Sequence, residues 1–430
     1  MKFLFKKIIE ILARLYIWRF KPVIIAITGN SGKTTAKEAI YAVLKDFKKV
    51  RSTAGNLNNE IGVPLTILGD WSQEYYDKGP SLFFWFKVLL VSKFNFIFSN
   101  DYPEVLVLEY GADQPGDIKK LTRKYKPHIS VVTAIGEIPV HIEYFKDTDD
   151  VAKEKSNLVK CLKNNDYAVL NQDDPLVLDM KNKTKAKIWT FGFTDSSEVK
   201  ISGFDNSLDE KSKPKGIHFK IHKGPISFIP ISINGSLGKG IALASGAATS
   251  VGLIMGMNLV SINEALSKMD GPKGRLKILS GIKNSTIIDD SYNSSPLATE
   301  LSLDSLFSIS AKRKIAILGD MLELGEYTIK AHQKIGNIIG GKVDILICVG
   351  PKSKFLGQGA SNQMDSQNIY YFETSELAKK KIQEIIREDD LVLVKGSQGM
   401  RMEKIIEEIM AEPQNKKNLL VRQSNKWLKS

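Results

Sequence analysis

Five apolar residues in a row, Val23–Ile27, run directly into Thr28-Gly29-Asn30-Ser31-Gly32-Lys33-Thr34-Thr35, and Ala36–Leu44 then has helical spacing. A short apolar run closed by turn residues reads as a buried strand. Strand, glycine loop and helix in that order open an α/β unit built on a parallel sheet, so this stretch alone restricts the fold class. It is also the context that a phosphate-cradling loop requires. Glycines let backbone N–H groups turn inward around phosphate oxygens, and the helix N-terminus adds its partial positive charge. Lys33 can reach the outer phosphates, and the Thr34 hydroxyl can sit on Mg²⁺. The strict spacing G-x-x-x-x-G-K-[ST] is not met, because Ile27 stands five places before Gly32; the loop reads TGxxGKTT. The alternative is a plain glycine turn ending in a solvated lysine, and the strand and helix on either side argue against it.

The remaining chain is long enough, at 430 residues, for two or three domains, and 43% hydrophobic with 25% charged residues is an ordinary globular composition. Cys161 and Cys348 lie far apart and form no disulfide or metal framework, which fits a reducing compartment. A net charge of +13 calls for an anionic partner: nucleotide, nucleic acid or membrane. No basic run interleaved with aromatics marks a nucleic-acid module, so no nucleic-acid partner is expected.

Two stretches bear on membranes. Met1–Pro22 begins like a signal peptide but has no small-residue cleavage site, and its charges interrupt it too often for a spanning helix. As a helix it sets Lys7, Glu10 and Arg14 on one face, with Phe, Ile, Leu and Trp over the rest. It either lies on an anionic membrane surface or packs on its own domain. Leu82–Phe98 is the most apolar stretch, yet it falls short of the ~20 residues of a span and is broken by Lys87 and Lys93. The expectation is a helix to about Lys93 and then a turn, serving as a buried core helix or as a second membrane contact.

Further strands place chemistry at their ends. Val105–Leu108 ends at Glu109, and an acid at the carboxyl end of a parallel strand points into the ligand crevice of an open α/β sheet. Glu109 is therefore a candidate Mg²⁺ ligand, with a helix cap as the alternative. His141 lies just past the strand Ile129–Thr133; a lone histidine is more often a polar surface residue than a ligand. Asn58 and Asn59 belong to the loop Gly55–Pro64, which serves turn chemistry or ligand contact. Val151–Leu162 reads as a helix carrying Lys153 and Lys155, Tyr167–Leu170 as a strand, Lys187–Ile233 as a β-rich section, and Gly240–Met257 as a small-residue helix. After the linker Asp270–Gly274, strands Ser285–Asp289, Lys314–Leu318, Ile345–Val349 and Leu391–Lys395 alternate with helices and predict a Rossmann-like sheet. The polar tail from Pro413 is expected to fray. The reading is thus α/β: a basic amphipathic helix (1–22), a central P-loop-type parallel-sheet ATPase domain (23–271) with an apolar insertion (80–100) and a β-rich section, a Rossmann-like carboxy-terminal domain (272–412) and a tail (413–430).

ITGNSGKTT, GNLNNEIGVPLT, LEYGADQPGDI, DDSYNSSP, GDMLELGE and LVKGSQGMRMEKI, in this order between Val23 and Ile409, closely resemble the Mur ligases, and among them the branch that adds D-alanyl-D-alanine to a UDP-muramoyl-tripeptide in peptidoglycan synthesis. The resemblance implies a cytoplasmic, ATP-dependent amide-bond ligase that makes an acyl phosphate on a muramoyl-peptide acceptor and joins it to D-alanyl-D-alanine. It implies ATP on Gly29–Thr35 and, from the carboxy-terminal side, on Arg275, Asp289, Tyr292 and Asn293. It implies two Mg²⁺ ions on Thr34, Glu109, His141 and a carbamylated Lys155, with Asn58 and Asn59 facing the sugar-peptide. Three departures stand out. Only Met1–Pro22 precedes the nucleotide-loop strand, so the domain that holds the UDP end is expected to be lacking. Ile241 stands where the family's asparagine near adenine would be, which bears on nucleotide preference. The two apolar segments point to the inner face of the membrane. A ligase of the same mechanism on a lipid-linked or poly-γ-glutamate-type acceptor, and a non-catalytic nucleotide-binding membrane scaffold, are the alternatives.

Overall fold

The computed structural model describes residues 2–55, 57–137, 144–224 and 226–428, without the side chains of 2–4, 425 and 426. His141 lies outside the described residues.

The first apolar run forms β1 (Val23–Thr28), which is almost wholly buried because it is apolar up to its terminal threonine, whose hydroxyl donates to the Tyr110 carbonyl at 2.9 Å. It sits inside a sheet of order β2-β3-β1-β4-β5-β6-β7-β8-β9. Its partners are β2 (Val50–Ser52), β3 (Val105–Glu109), β4 (Ile129–Val132), β5 (Tyr167–Asn171), β6 (Lys187–Gly192), β7 (Val199–Leu208), β8 (Pro214–Lys223) and β9 (Ser227–Asn234). Neighbours from β2 to β7 run parallel, and β7, β8 and β9 form an antiparallel meander, the expected β-rich section. β1 has β3 on one side and β4 on the other, so the chain leaves it in both directions and the loop after it opens at the switch point where α/β sheets bind ligands.

The second sheet has the order β10-β11-β15-β12-β13-β14, formed by β10 (Lys277–Ser280), β11 (Thr286–Asp290), β12 (Lys314–Gly319), β13 (Ile345–Val349), β14 (Ile369–Phe372) and β15 (Leu391–Lys395). All neighbours are parallel except the edge pair β10–β11. The four expected strands form. β10 and β14 join them at the two edges, where only part of each strand is buried and the apolar run that marks an inner strand is missing.

Helices α1 (Lys2–Phe20), α2 (Lys33–Leu44), α3 (Gly62–Leu68), α4 (Ser72–Lys78), α5 (Leu82–Phe98), α6 (Asp117–Lys124) and α7 (Thr148–Lys155) surround the first sheet. α1 and α5 share one core cluster, to which they give Ile9, Leu12, Ala13 and Tyr16, and Phe84 and Val88. They also bond to each other: the Tyr16 hydroxyl donates to the Ser92 carbonyl at 2.6 Å, and Arg19 donates to the Ser99 carbonyl at 3.2 Å.

Three expectations are corrected. α5 continues past Lys93 to Phe98, because Lys93 is exposed and no glycine, proline or competing side chain interrupts the helix. The helix expected over Val151–Leu162 is broken after Lys155, where the Ser156 hydroxyl bonds back to the Lys153 carbonyl at 2.7 Å, and a short turn of helix, Asn157–Lys160, follows. The tail does not fray as far as Leu428: Leu420 and Val421 are buried, and short helices form at Lys416–Leu419 and Asn425–Leu428.

Candidate active site

The glycine loop is shaped by its neighbours. Gly29 has φ 143°, and a Cβ there would stand 2.1 Å from the Thr133 hydroxyl oxygen, so only glycine fits against the end of β4. Gly32 caps α2 at φ 83°, in the left-handed region. Asn30 and Ser31 donate their backbone N–H groups to the Ala134 carbonyl at 2.7 and 3.2 Å, and the Thr133 hydroxyl donates to the Ser31 carbonyl at 2.6 Å. The Lys33 ammonium folds over this frame and donates to the carbonyls of Gly29 (2.8 Å) and Asn30 (3.2 Å). Burial pushes its pKa down, and the Glu109 carboxylate works against that shift.

β3 delivers Glu109 to the same place, nearly buried. Its carboxylate accepts from the Thr34 hydroxyl at 3.1 Å and from the Asn58 amide at 3.0 Å. Asn59 instead accepts the backbone N–H groups of Ile61 (3.1 Å) and Gly62 (3.0 Å), which caps the start of α3. The asparagine loop therefore serves both turn chemistry and the site. Lys155 reaches the site from the last turn of α7 and is 4% exposed. Burial first, and the positive charge of Lys33 second, push its pKa down to about 7. The adjacent Glu154 points the other way and accepts the N–H groups of Gly116 and Ile118, both at 2.8 Å, which locks α7 to the start of α6.

Among the described residues no three His, Cys, Asp or Glu side chains gather as a ready metal site. The Thr34 hydroxyl and the Glu109 carboxylate are nonetheless hard oxygen donors in contact with each other beside the glycine loop. That pair suits Mg²⁺ when phosphate oxygens and water complete the shell.

Both domains open onto one cavity of about 600 Å³. Gly29, Asn30, Ser31, Gly32, Lys33, Thr34, Asn58, Asn59, Glu109 and Lys155 line one side; Arg275, Tyr292, Asn293, Ser295 and Gln398 line the other. The Arg275 guanidinium lies over the Tyr292 ring at 4.2 Å, and its Nε has no hydrogen-bond partner among the described residues. Asn293 accepts the Gln398 N–H at 3.2 Å. A second cavity of about 320 Å³ shares Asn58, Asn59, Gly111 and Asp113 with the first and is edged by Lys6 of α1.

Three residues do not meet at the cavity. Thr35 is buried behind the loop, on α2. Ile241 is 3% exposed and packs into the main core. Asp289 is fully buried and accepts the Ser291 N–H at 3.0 Å, with burial pushing its pKa up to about 6. It shapes the turn that presents Tyr292 and Asn293 and does not face the cavity. Trp427, by contrast, does line the cavity. It belongs to the polar tail, where no sequence pattern announced a role.

Known proteins share this architecture. The family model "Mur ligase middle domain" matches residues 27–75 and 89–236, and "Mur ligase, glutamate ligase domain" matches residues 274–398. The UDP-N-acetylmuramoyl-tripeptide–D-alanyl-D-alanine ligase of Bacillus subtilis (strain 168) is 28% identical over 406 residues, which is 94% of this chain and 79% of the relative. The enzyme of the same name from Rickettsia prowazekii (strain Madrid E) is 26% identical over 388 residues, 89% of this chain and 77% of the relative. The crystal structure of MurF ligase from Thermotoga maritima in complex with ADP superposes with a TM-score of 0.76 at 25% identity, covering 94% of this chain and 83% of that one. Two family models that together take in most of the chain, relatives matched over nearly its full length and a shared two-sheet fold lead to one conclusion: the chain belongs to the Mur ligase family.

Proposed function

We propose that this protein is an ATP-dependent amide-bond ligase that activates the carboxylate of a muramoyl-peptide acceptor and joins it to the amine of D-alanyl-D-alanine. The observation that carries the reading is the convergence of the glycine loop, Glu109 and Lys155 from one domain with Arg275, Tyr292 and Asn293 from the other on one cavity. In the first step an acceptor carboxylate oxygen bonds to the γ-phosphorus, the bond to the bridging oxygen breaks and ADP leaves. In the second the dipeptide amine bonds to the acyl carbon, the carbon–oxygen bond to phosphate breaks, and the amine gives up a proton. Carboxylate and triphosphate repel each other, so neutralisation dominates the work of the site. Lys33 supplies fixed positive charge from one side and Arg275 from the other. Mg²⁺ on Thr34 and Glu109 would add the charge compensation that phosphoryl transfer needs. Ligands held between two domains are shielded from water, which would otherwise hydrolyse the acyl phosphate. With ATP as co-substrate and precursor synthesis as the task, the location proposed with this reading is the cytoplasm. For His141, the role of second-metal ligand rests on the resemblance alone.

The test is phosphate release from ATP in the presence of UDP-muramoyl-tripeptide and D-alanyl-D-alanine. Release that requires both is the expected result. ATP turnover that ignores the acceptor, or no turnover with either this or a lipid-linked acceptor, would remove the reading.

Lys155 is proposed to carry a carbamate. Its nitrogen would bond to the carbon of CO₂ and lose a proton, exchanging a cation for an anion at the metal side of the site. The reaction needs the neutral amine. With a pKa pushed down to about 7, roughly half of Lys155 is neutral at pH 7, whereas an ordinary lysine near 10.4 is well under ~1% neutral. The sign follows: below pH 7 the amine takes up a proton, the carbamate is lost, and activity falls. ¹³C-bicarbonate is expected to give a carbamate resonance above pH 7 that vanishes in Lys155→Arg. A spectrum identical for both proteins would count against the modification whatever the activity does.

A further inference from the structure

α1 and α5 each turn one face inward onto the same core cluster, and their outer faces present chemistry that the ligase reading does not use. On α5, Leu82, Phe83, Phe86, Phe94, Ile97 and Phe98 are each more than half exposed. The charges on this helix are Lys93, which is exposed, and Lys87, which pairs with Glu74 at 2.7 Å, and α5 itself contains no acidic residue. On α1, exposed Ile11, Leu15 and Trp18 alternate at helical spacing with exposed Lys7 and Arg14, and exposed Lys21 follows at the end of the helix. The one acid on α1, Glu10, is paired with Lys124 at 2.8 Å. The middle-domain family model skips residues 76–88, which include the first turns of α5, and α1 lies outside both family models.

An apolar patch of this extent is unusual on a protein that meets only water. Three occupants can be weighed on charge and size. A membrane span does not fit: no helix among the described residues is long and apolar enough to cross a bilayer. A second copy of the chain does not fit either. A two-fold interface lays a patch on itself, so Lys7, Arg14, Lys21 and Lys93 would be crowded together, and the neighbouring acids Glu10, Glu74 and Asp101 are already paired with Lys124, Lys87 and Lys49. An anionic bilayer satisfies both halves of the surface. Phenylalanine, leucine and isoleucine enter the acyl boundary, tryptophan sits at the interface, and lysine and arginine meet the headgroups. We propose that the outer faces of α1 and α5 dock the protein flat on an anionic lipid bilayer. The inference stands on this surface alone and does not depend on which acceptor the active site takes.

The test is flotation of the full chain with vesicles of phosphatidylcholine alone and of phosphatidylcholine mixed with phosphatidylglycerol. Expected is co-flotation with the anionic vesicles at least about tenfold above the neutral ones, lost in high salt. Lys7→Glu combined with Arg14→Glu should lower that binding about tenfold or more. Phe83→Ser, Phe86→Ser and Phe94→Ser together should abolish it while the melting temperature and the ATPase rate without vesicles stay unchanged. Two results would overturn the proposal: equal flotation of the wild type and the phenylalanine variant, or a dimer in light scattering that the phenylalanine variant dissolves while neither protein binds vesicles. Because flotation reads lipid binding and not turnover, a failed ligase assay leaves it intact, and the reverse also holds.

Discussion

Lys33→Ala is expected to lower acceptor-dependent phosphate release by about a hundred- to a thousandfold, the scale on which one preorganised charge at a reacting centre acts. The ammonium is half-buried against the loop, so it faces the phosphates with less water to screen it than a surface lysine has. It also holds the Gly29 and Asn30 carbonyls at 2.8 and 3.2 Å, which keeps the loop wrapped around the space it encloses. Alanine removes both functions, and nothing else on the loop carries a positive charge. Lys33→Arg retains the charge but cannot occupy the same compact position, so it should recover only a small part of the rate. The measurement is phosphate release at saturating ATP, with the thermal melt as a control for folding. A variant that keeps its rate within tenfold would show the ammonium to be a loop brace, and the ligase reading would lose its central residue.

Glu403→Ala is expected to cost about 3–5 kcal/mol of stability in the carboxy-terminal domain. The Glu403 carboxylate accepts from Arg401 Nε at 2.6 Å and from Arg422 Nη1 at 2.9 Å, and its side chain is 2% exposed. Removing it strands two guanidinium groups away from water, and that is where the cost arises. The consequence travels along the chain. Arg422 also donates to the carbonyls of Ser291 and Tyr292, and Arg401 donates to the Trp427 carbonyl at 2.9 Å. The pair of arginines therefore straps the tail over the turn that presents Tyr292, and Trp427 closes one wall of the cavity. Loss of Glu403 should lower the melting temperature by about 6–20 °C, at the usual ~2–4 °C per kcal/mol for a domain of this size, and should weaken nucleotide binding with it. A melt within about 2 °C of the wild type would mean that Leu420 and Val421 hold the tail by themselves.

The parts of the site that were legible in the sequence are those fixed by short-range order. An apolar run, two glycines at set positions and a lysine at the start of a helix give the loop of β1 and α2 wherever they occur. Glu109 was legible because the end of a parallel strand has a defined place in an open sheet. Asp289 was named by resemblance alone, and the structure does not bring it to the cavity. It too stands at a strand end, but successive side chains on a strand point to opposite faces. Asp290 goes to Lys395 and Ser302, both at 2.5 Å, and Asp289 goes under the Ser291 turn, so neither faces the cavity.

The outer helices and the tail show the same division. Apolar length and spacing make α1 and α5 helices, yet which face each buries depends on a core assembled from distant segments. Trp427 offered no pattern at all, because its place is set by two arginines and a glutamate that meet only after the second sheet has formed. Lys155 shows the division most sharply. Its sequence neighbours say it ends a helix; the depressed pKa comes from burial and from Lys33, a charge on a different helix. By itself, then, the sequence determined the phosphate loop, the two α/β units and the family, because those depend on backbone sterics and periodicity along neighbouring residues. Only the tertiary structure decided which carboxylates face the cavity, what holds the tail in the wall and how easily Lys155 gives up its proton. Those depend on dielectric and charge contributed by groups far apart in the chain.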